Sequence, residues 1–151
     1  MIRLRDLLSE TVTPEVAYSK IDELPVGKLF DDAKDIRGIF KMSRHSWNDV
    51  IVAYERHEEE HHIETINVSD IHITQPNIQA EKAKKIIPIM QTLPRINVVR
   101  FEDGEMAIYD GHHRLVAAWA MGESTIKVNI VTLPQTQYDA SGIDTPGDPT
   151  I

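Results

Sequence analysis

The order of apolar patterns along the chain predicts an α+β fold, with helices gathered around a small β-sheet. Two apolar runs, 96–101 and 105–109, flank Glu102-Asp103-Gly104, and an Asp-Gly pair in that setting is a hairpin signal. A helix period follows at once, with Leu115, Ala118 and Trp119 on one side and Gly122 at its end. Further strand patterns at 65–73 and 126–131 stand on either side of this unit, and helix patterns at 46–60 and 79–87 precede it.

Size and charge narrow the functional classes. The chain has 151 residues, one domain with appendages, and is 41% hydrophobic, enough for an ordinary core. Its net charge is −8, so a DNA-binding surface would have to be a local basic patch set against that field. The basic residues are scattered instead; Lys82, Lys84 and Lys85 are the densest group, and Glu81 stands beside them. There is no cysteine, which excludes disulfides, thiolate metal sites and cysteine nucleophiles. Residues 1–8 lack the apolar core of a signal peptide, and no stretch approaches a membrane span. A soluble, cytoplasmic protein with no membrane partner is expected.

In chain order, Ile2, Leu4, Leu7 and Leu8 predict a short amphipathic helix over 1–10, docked on the body. Residues 11–45 read as short helices and loops, with a turn at Pro25-Val26-Gly27. Ser46 and Asp49 make a capping box, after which Trp47, Val50, Ile51 and Tyr54 share a helical face. This helix runs into His57-Glu58-Glu59-Glu60-His61, an H-E-x-x-H string. Its neighbours are charged and no obvious third ligand motif follows, so the string reads as a solvated face, with opportunistic metal binding as the alternative, and not as a zinc protease. Thr74-Gln75-Pro76-Asn77 breaks the 65–73 strand pattern, Ala80, Ala83, Ile86 and Ile87 face inward from the 79–87 helix, and Pro88 ends or kinks that helix. The three lysines then lie on its exposed side. After Pro134 apolar residues nearly vanish among Asp, Gly and Pro, which predicts a flexible acidic or partner-binding tail. The expected division is an N-terminal helical extension over 1–62, a folded domain over 63–133 and the tail over 134–151.

The candidate site is Asp110-Gly111-His112-His113-Arg114, where strand gives way to helix. Glycine permits the sharp turn and a close ligand approach. The first turn of a helix offers unpaired N–H donors and the positive end of the helix dipole, and both attract anions. Cations are disfavoured at that end, so two imidazoles and a guanidinium there make sense around an anion such as phosphate. Arg114 can grip a phosphate at two oxygens. His112 and His113 can donate hydrogen bonds, and one of them can move a proton near neutral pH.

Residues 64–131 resemble the ParB/sulfiredoxin-like domain, a family that also houses the ParB nuclease-like proteins. The resemblance covers the strand ending at Thr74 with Gln75-Pro76, the next helix, the hairpin, the stretch from Asp110 to Ala118 and the closing strand. Its most specific part is Gly111, Arg114 and Ala117. It implies a small mixed β-sheet with surrounding helices. In ParB partition proteins a Gly-Glu-Arg-Arg loop binds the triphosphate of CTP, and in sulfiredoxins a Gly-Cys-His-Arg loop binds ATP and supplies the reducing cysteine. Free serine kinases of this fold are similar in carrying Asp-Gly-His-His-Arg, the same five residues as 110–114. His112 stands where sulfiredoxin has cysteine, which removes that chemistry, and the ParB clamp needs downstream domains where this chain has a short acidic tail. The kinase-like loop therefore implies an enzyme that binds ATP or ADP with magnesium, CTP being the ParB-like option, and that transfers or hydrolyses a phosphate. Gly111, His112, His113 and Arg114 would hold phosphate, and Asp110 and His113 would be catalytic. Asp110 would hold magnesium or handle a proton, or else simply cap the helix. Gln75 and Asn77 would contact the nucleotide, or else form a turn with Asn77 as a helix N-cap. The serine kinases use a glutamate from the N-terminal part of the domain, the part in which Glu64 lies. The alternatives are a DNA-associated nuclease-like protein that binds or cleaves nucleic acid, and an inactive protein-interaction module.

Overall fold

The structure, a computed structural model, describes residues 12–134. The helix expected over 1–10 and the tail beyond 134 lie outside the described residues. Helix α1 (Pro14–Asp22) starts where Thr13 Oγ1 accepts the Val16 N–H at 3.2 Å, with Pro14 at the position where a missing N–H costs nothing. Strand β1 (Ala33–Asp35) comes next, and then α2 (Trp47–His57), capped as anticipated by Ser46, whose Oγ accepts the Asp49 N–H at 3.0 Å. α2 ends earlier than its sequence pattern suggests. Glu58–Glu60 forms one 3₁₀ turn and strand β2 (His62–Asn67) begins directly after. Beyond Tyr54 the helix has no buried residue to hold it against the body, and a run of three glutamates adds repulsion.

The remaining elements are β3 (Ile71–His72), β4 (Asn77–Gln79), α3 (Ala80–Ile86), β5 (Ile96–Arg100), β6 (Met106–Asp110), α4 (His112–Ala120) and β7 (Thr125–Thr132). Pro88 ends α3 as expected, but the chain continues as a 3₁₀ helix, Ile87–Thr92, in which proline at the start loses no hydrogen bond. Five strands form one mixed sheet in the order β2-β7-β5-β6-β3. β2 runs antiparallel to β7 and β5 antiparallel to β6, while β5 is parallel to β7 and β3 parallel to β6. β1 and β4 make a separate antiparallel pair in the register Lys34↔Ile78.

Strand alternation sorts the core into two faces. Val98, Ile108, Val128 and Ile130 point to one side, where α1, α3 and α4 cover them with Ala17, Ile21, Ala83, Leu115, Val116 and Ala117. Alanines at the helix contacts allow these helices to approach closely. Val99, Ala107 and Val131 point to the other side and meet Val50, Ala53 and Tyr54 of α2. Residues 14–57, anticipated as a helical extension, are thus built into both faces of the sheet.

The segment between β1 and α2 is tied down by a buried carboxylate. Glu105, with 4% of its side chain exposed, accepts from the Ser43 hydroxyl, from the Arg44 N–H and, at 3.2 Å, from Arg44 Nε. Burial pushes the Glu105 carboxyl up. The bonds from Ser43 and Arg44, with the nearby His72, outweigh that and hold it below the usual carboxylate range. Glu105→Ala would leave those donors facing a gap and should destabilise the fold by about 2–3 kcal/mol. Urea denaturation checks this, and a loss below about 0.5 kcal/mol, the range of an ordinary surface substitution, would show that the network carries no stability.

Candidate functional site

The site is assembled where β6 turns into α4. Gly111 sits at the turn with φ 118° and ψ 29°, a backbone region that disfavours L side chains. A Cβ there would lie 2.5 Å from Ile96 Cγ2 and 2.9 Å from Ile96 Cβ, so packing demands glycine as much as the dihedral does. No side chain caps α4, so the N–H groups of its first turn have no side-chain acceptor.

An open cleft of about 350 Å³ lies in front of this turn. It is lined by residues 109–114, by Lys82 and Ile86 of α3, by Trp47 at the start of α2, and by Gln75. Gly111, His112, His113, Arg114, Asp110 and Gln75, all anticipated as site residues, are therefore brought together. Asn77 is not. It is 5% exposed in β4, and its Oδ1 accepts the Lys28 N–H at 3.4 Å. It does not line the cleft and does not cap α3, because β4 buries its side chain against the Gly27-Lys28 loop. Gln75 Nε2 donates to the Asn77 carbonyl at 3.1 Å, which fixes its amide at the cleft.

The two histidines differ from expectation in their chemistry. His112 Nε2 accepts the Thr74 N–H at 3.0 Å, and His113 Nε2 accepts the Gln79 N–H at 3.0 Å. A backbone N–H only donates, so both rings are the tautomer with the proton on Nδ1. Burial, and then the neighbouring His113, bring the His112 pKa down to about 4. Burial and the charge of Lys82, with Asp32 pulling the other way, bring His113 down to about 4 as well. Near neutral pH both imidazoles are uncharged with Nε2 engaged. The two rings thus splice the turn to the segment after β3 and to β4, and each presents one donor, Nδ1–H.

Arg114 is also more committed than its sequence context suggests. Its Nη1 donates to the Pro94 carbonyl at 2.7 Å and more weakly to that of Arg95, and its Nη2 donates to Asp110 Oδ2 at 3.1 Å. At most three of its five N–H donors are used, and the guanidinium, paired with Asp110, borders the cleft. The same guanidinium borders a second cavity of about 340 Å³, lined also by Arg95, Glu123 and Lys127. Asp110 is exposed and is the one carboxylate among the residues lining the cleft.

Glu64 lies away from the cleft, on the edge strand β2, where Arg100 Nη2 donates to it at 2.5 Å and His62 Nε2 lies 3.0 Å away. The H-E-x-x-H string does not lie on one continuous helix. His57 ends α2 and pairs with Glu60, while His61 lies beyond the 3₁₀ turn with Nδ1 against the Glu58 carbonyl. No group of three or more His, Cys, Asp or Glu side chains among the described residues is arranged to hold a metal ion. Lys84 is paired with Asp22 and Glu81, so the lysines of α3 make no basic stripe; only Lys82 reaches the cleft.

Three lining residues were not anticipated as site residues: Trp47, Lys82 and Tyr109. Tyr109 donates to Glu55 Oε2 at 2.9 Å and stacks on Tyr54 with ring centroids 4.6 Å apart. Among the described residues no helix is long and apolar enough to cross a membrane. Compared with protein-family models and with curated proteins, the chain matches none.

Proposed function

We propose that this protein is a nucleotide-binding enzyme of the ParB/sulfiredoxin-like type, taking ATP or ADP with magnesium, or CTP, and transferring or hydrolysing a phosphate. One observation carries the assignment. A single cleft, of a size that suits a small-molecule site, gathers the uncapped start of α4, the Arg114 guanidinium and the Lys82 ammonium. Phosphoryl transfer needs charge neutralisation and positioning far more than covalent work by the protein, and those are the groups that supply it. The strand–glycine–helix turn supports the same assignment, since backbone N–H groups of a first helical turn bind phosphate. Asp110 is the residue that would hold magnesium, with the phosphates providing the other oxygens, as suits an ion that keeps few protein ligands. With both imidazoles neutral, the phosphate charge would be balanced by Arg114, Lys82 and the helix dipole.

Ligand-induced stabilisation tests this. At about one hundred times Kd a ligand adds about 2.7 kcal/mol, so ADP with magnesium should raise Tm by several degrees. Arg114→Ala should abolish the shift. Because Arg114 also ties Pro94 to Asp110, Lys82→Ala is the cleaner variant: Lys82 is exposed, so the fold should hold while nucleotide affinity falls roughly tenfold. Unchanged melting with ADP, ATP and CTP, each with magnesium, would remove the assignment.

A further inference from the structure

We propose that Trp47, backed by Tyr109, is the ring seat of this cleft, so that the base of a bound nucleotide lies against the indole while its phosphates lie at the Gly111 turn. The inference rests on the phosphate assignment above and adds which part of the ligand gives the cleft its selectivity. Trp47, Tyr109 and Tyr54 form a ladder of rings that leads from the core to the cleft. Tyr54 is buried, and its hydroxyl donates to Asn97 Oδ1 at 3.0 Å. Tyr109 lies nearly parallel to it, at 7°, and is held by Glu55. Trp47 stacks on Tyr109 with centroids 6.0 Å apart and planes inclined by 24°. Both inner rings are thus fixed at their polar ends, and the outer one rests on a rigid support, which lowers the ordering cost of a ring placed on it.

The indole has no need to be there for the fold. α2 is anchored by Val50, Ala53 and Tyr54, while Trp47 at its first position keeps 47% exposure. A large aromatic surface left half in water, in one cleft with the proposed phosphate-binding groups and Ile86, has the composition of a ligand site: apolar walls with a few placed polar groups. A base has a π-face whatever its identity, so stacking on Trp47 would favour nucleotides over bare phosphates without choosing strongly among bases.

Isothermal titration of the full chain with ADP and with inorganic pyrophosphate, each with magnesium, separates the two assignments. In the wild type ADP should bind at least tenfold tighter than pyrophosphate. Trp47→Ala should reduce ADP to the level of pyrophosphate and leave pyrophosphate within twofold of its wild-type value, and Trp47→Phe should restore most of the difference. ADP should also quench tryptophan emission in the wild type and in a Trp119→Phe variant, but not in Trp47→Phe. If ADP and pyrophosphate bind equally to the wild type, or if Trp47→Ala keeps the preference for ADP, the ring seat is overturned while the phosphate site stands. If neither ligand binds the wild type, the phosphate assignment fails and the ring seat falls with it.

Discussion

Gly111→Ala should be among the most damaging single substitutions in this chain, lowering stability by about 3 kcal/mol or more and abolishing any nucleotide-induced shift. Two costs add. The residue would have to hold φ near 118°, which an L side chain resists, and its Cβ would meet Ile96 at 2.5 Å. Ile96 cannot yield easily: it is 1% exposed, β-branched and locked in β5, the middle strand of the sheet. Relief must come from the turn, which would pull His112 off the Thr74 N–H and displace the first turn of α4 from the cleft. Gly104 provides the contrast. It too has a positive φ, 89°, but a Cβ there would meet nothing within 4 Å. Gly104→Ala should therefore cost about 1 kcal/mol, the dihedral part alone. A double-mutant cycle of Gly111→Ala with Ile96→Ala should be less than additive by about 1 kcal/mol, because the second change removes Cγ2 from the clash. Equal losses at Gly104 and Gly111 would show that packing against Ile96 plays no part.

What the sequence disclosed, and what it hid, follows the range of the interactions involved. The Asp103-Gly104 hairpin, the Ser46 cap and the Gly111 turn are local: each is set by residues within four positions, and each stands where its pattern put it. The α+β class follows from the order of such units. β1 and β4 left no readable trace, since each has three residues and their pairing joins Ala33 to Gln79. Asn77 shows the consequence for function. Next to a proline and a glutamine it has the composition of a turn, and only its pairing with Asp35 decides that its side chain is buried. The partners of Arg114 are carbonyls near position 95, and carbonyls have no sequence signature. The histidines carried the largest difference. Their place beside a glycine predicts rings that donate hydrogen bonds, one of them able to move a proton, whereas at Nε2 both accept from the backbone N–H groups of Thr74 and Gln79. In the sequence Trp47 belongs to an apolar helix face with Val50, Ile51 and Tyr54. A signal for its place at the cleft was present, a tryptophan at the first helical position where the core begins only at Val50, but such a position specifies nothing until the facing element is known.

The neutral histidines make a second large effect predictable, a loss of stability in mild acid. In the unfolded chain the His112 imidazole takes up its proton near pH 6.5, whereas in the fold, with 8% exposure and Nε2 engaged, it does so only at about pH 4. Above pH 6.5 both states hold a neutral ring, and this contribution is fully present. As pH falls from 6.5 towards 4 the unfolded state binds the proton first, so stability falls, and below 4 His112 contributes no further change. Between pH 7 and pH 5 His112 alone should cost about 2 kcal/mol, with a smaller loss from the more exposed His113 in the same direction. The buried carboxylate of Glu105, whose pKa is lowered, acts at lower pH, so the interval from 6.5 to 5 isolates the imidazoles. His112→Gln should flatten that interval by roughly half, since the glutamine carbonyl can take the place of Nε2 as acceptor for Thr74 and does not titrate. Urea midpoints at pH 7 and pH 5 for the two proteins decide the matter. If His112→Gln loses as much stability as the wild type over that range, His112 is charged in the fold, and the neutral-acceptor geometry drawn for the Gly111 turn is wrong. If it loses less, the turn is held by an imidazole that must stay unprotonated, and under the proposed function the phosphate charge would be balanced by Arg114, Lys82 and the α4 dipole.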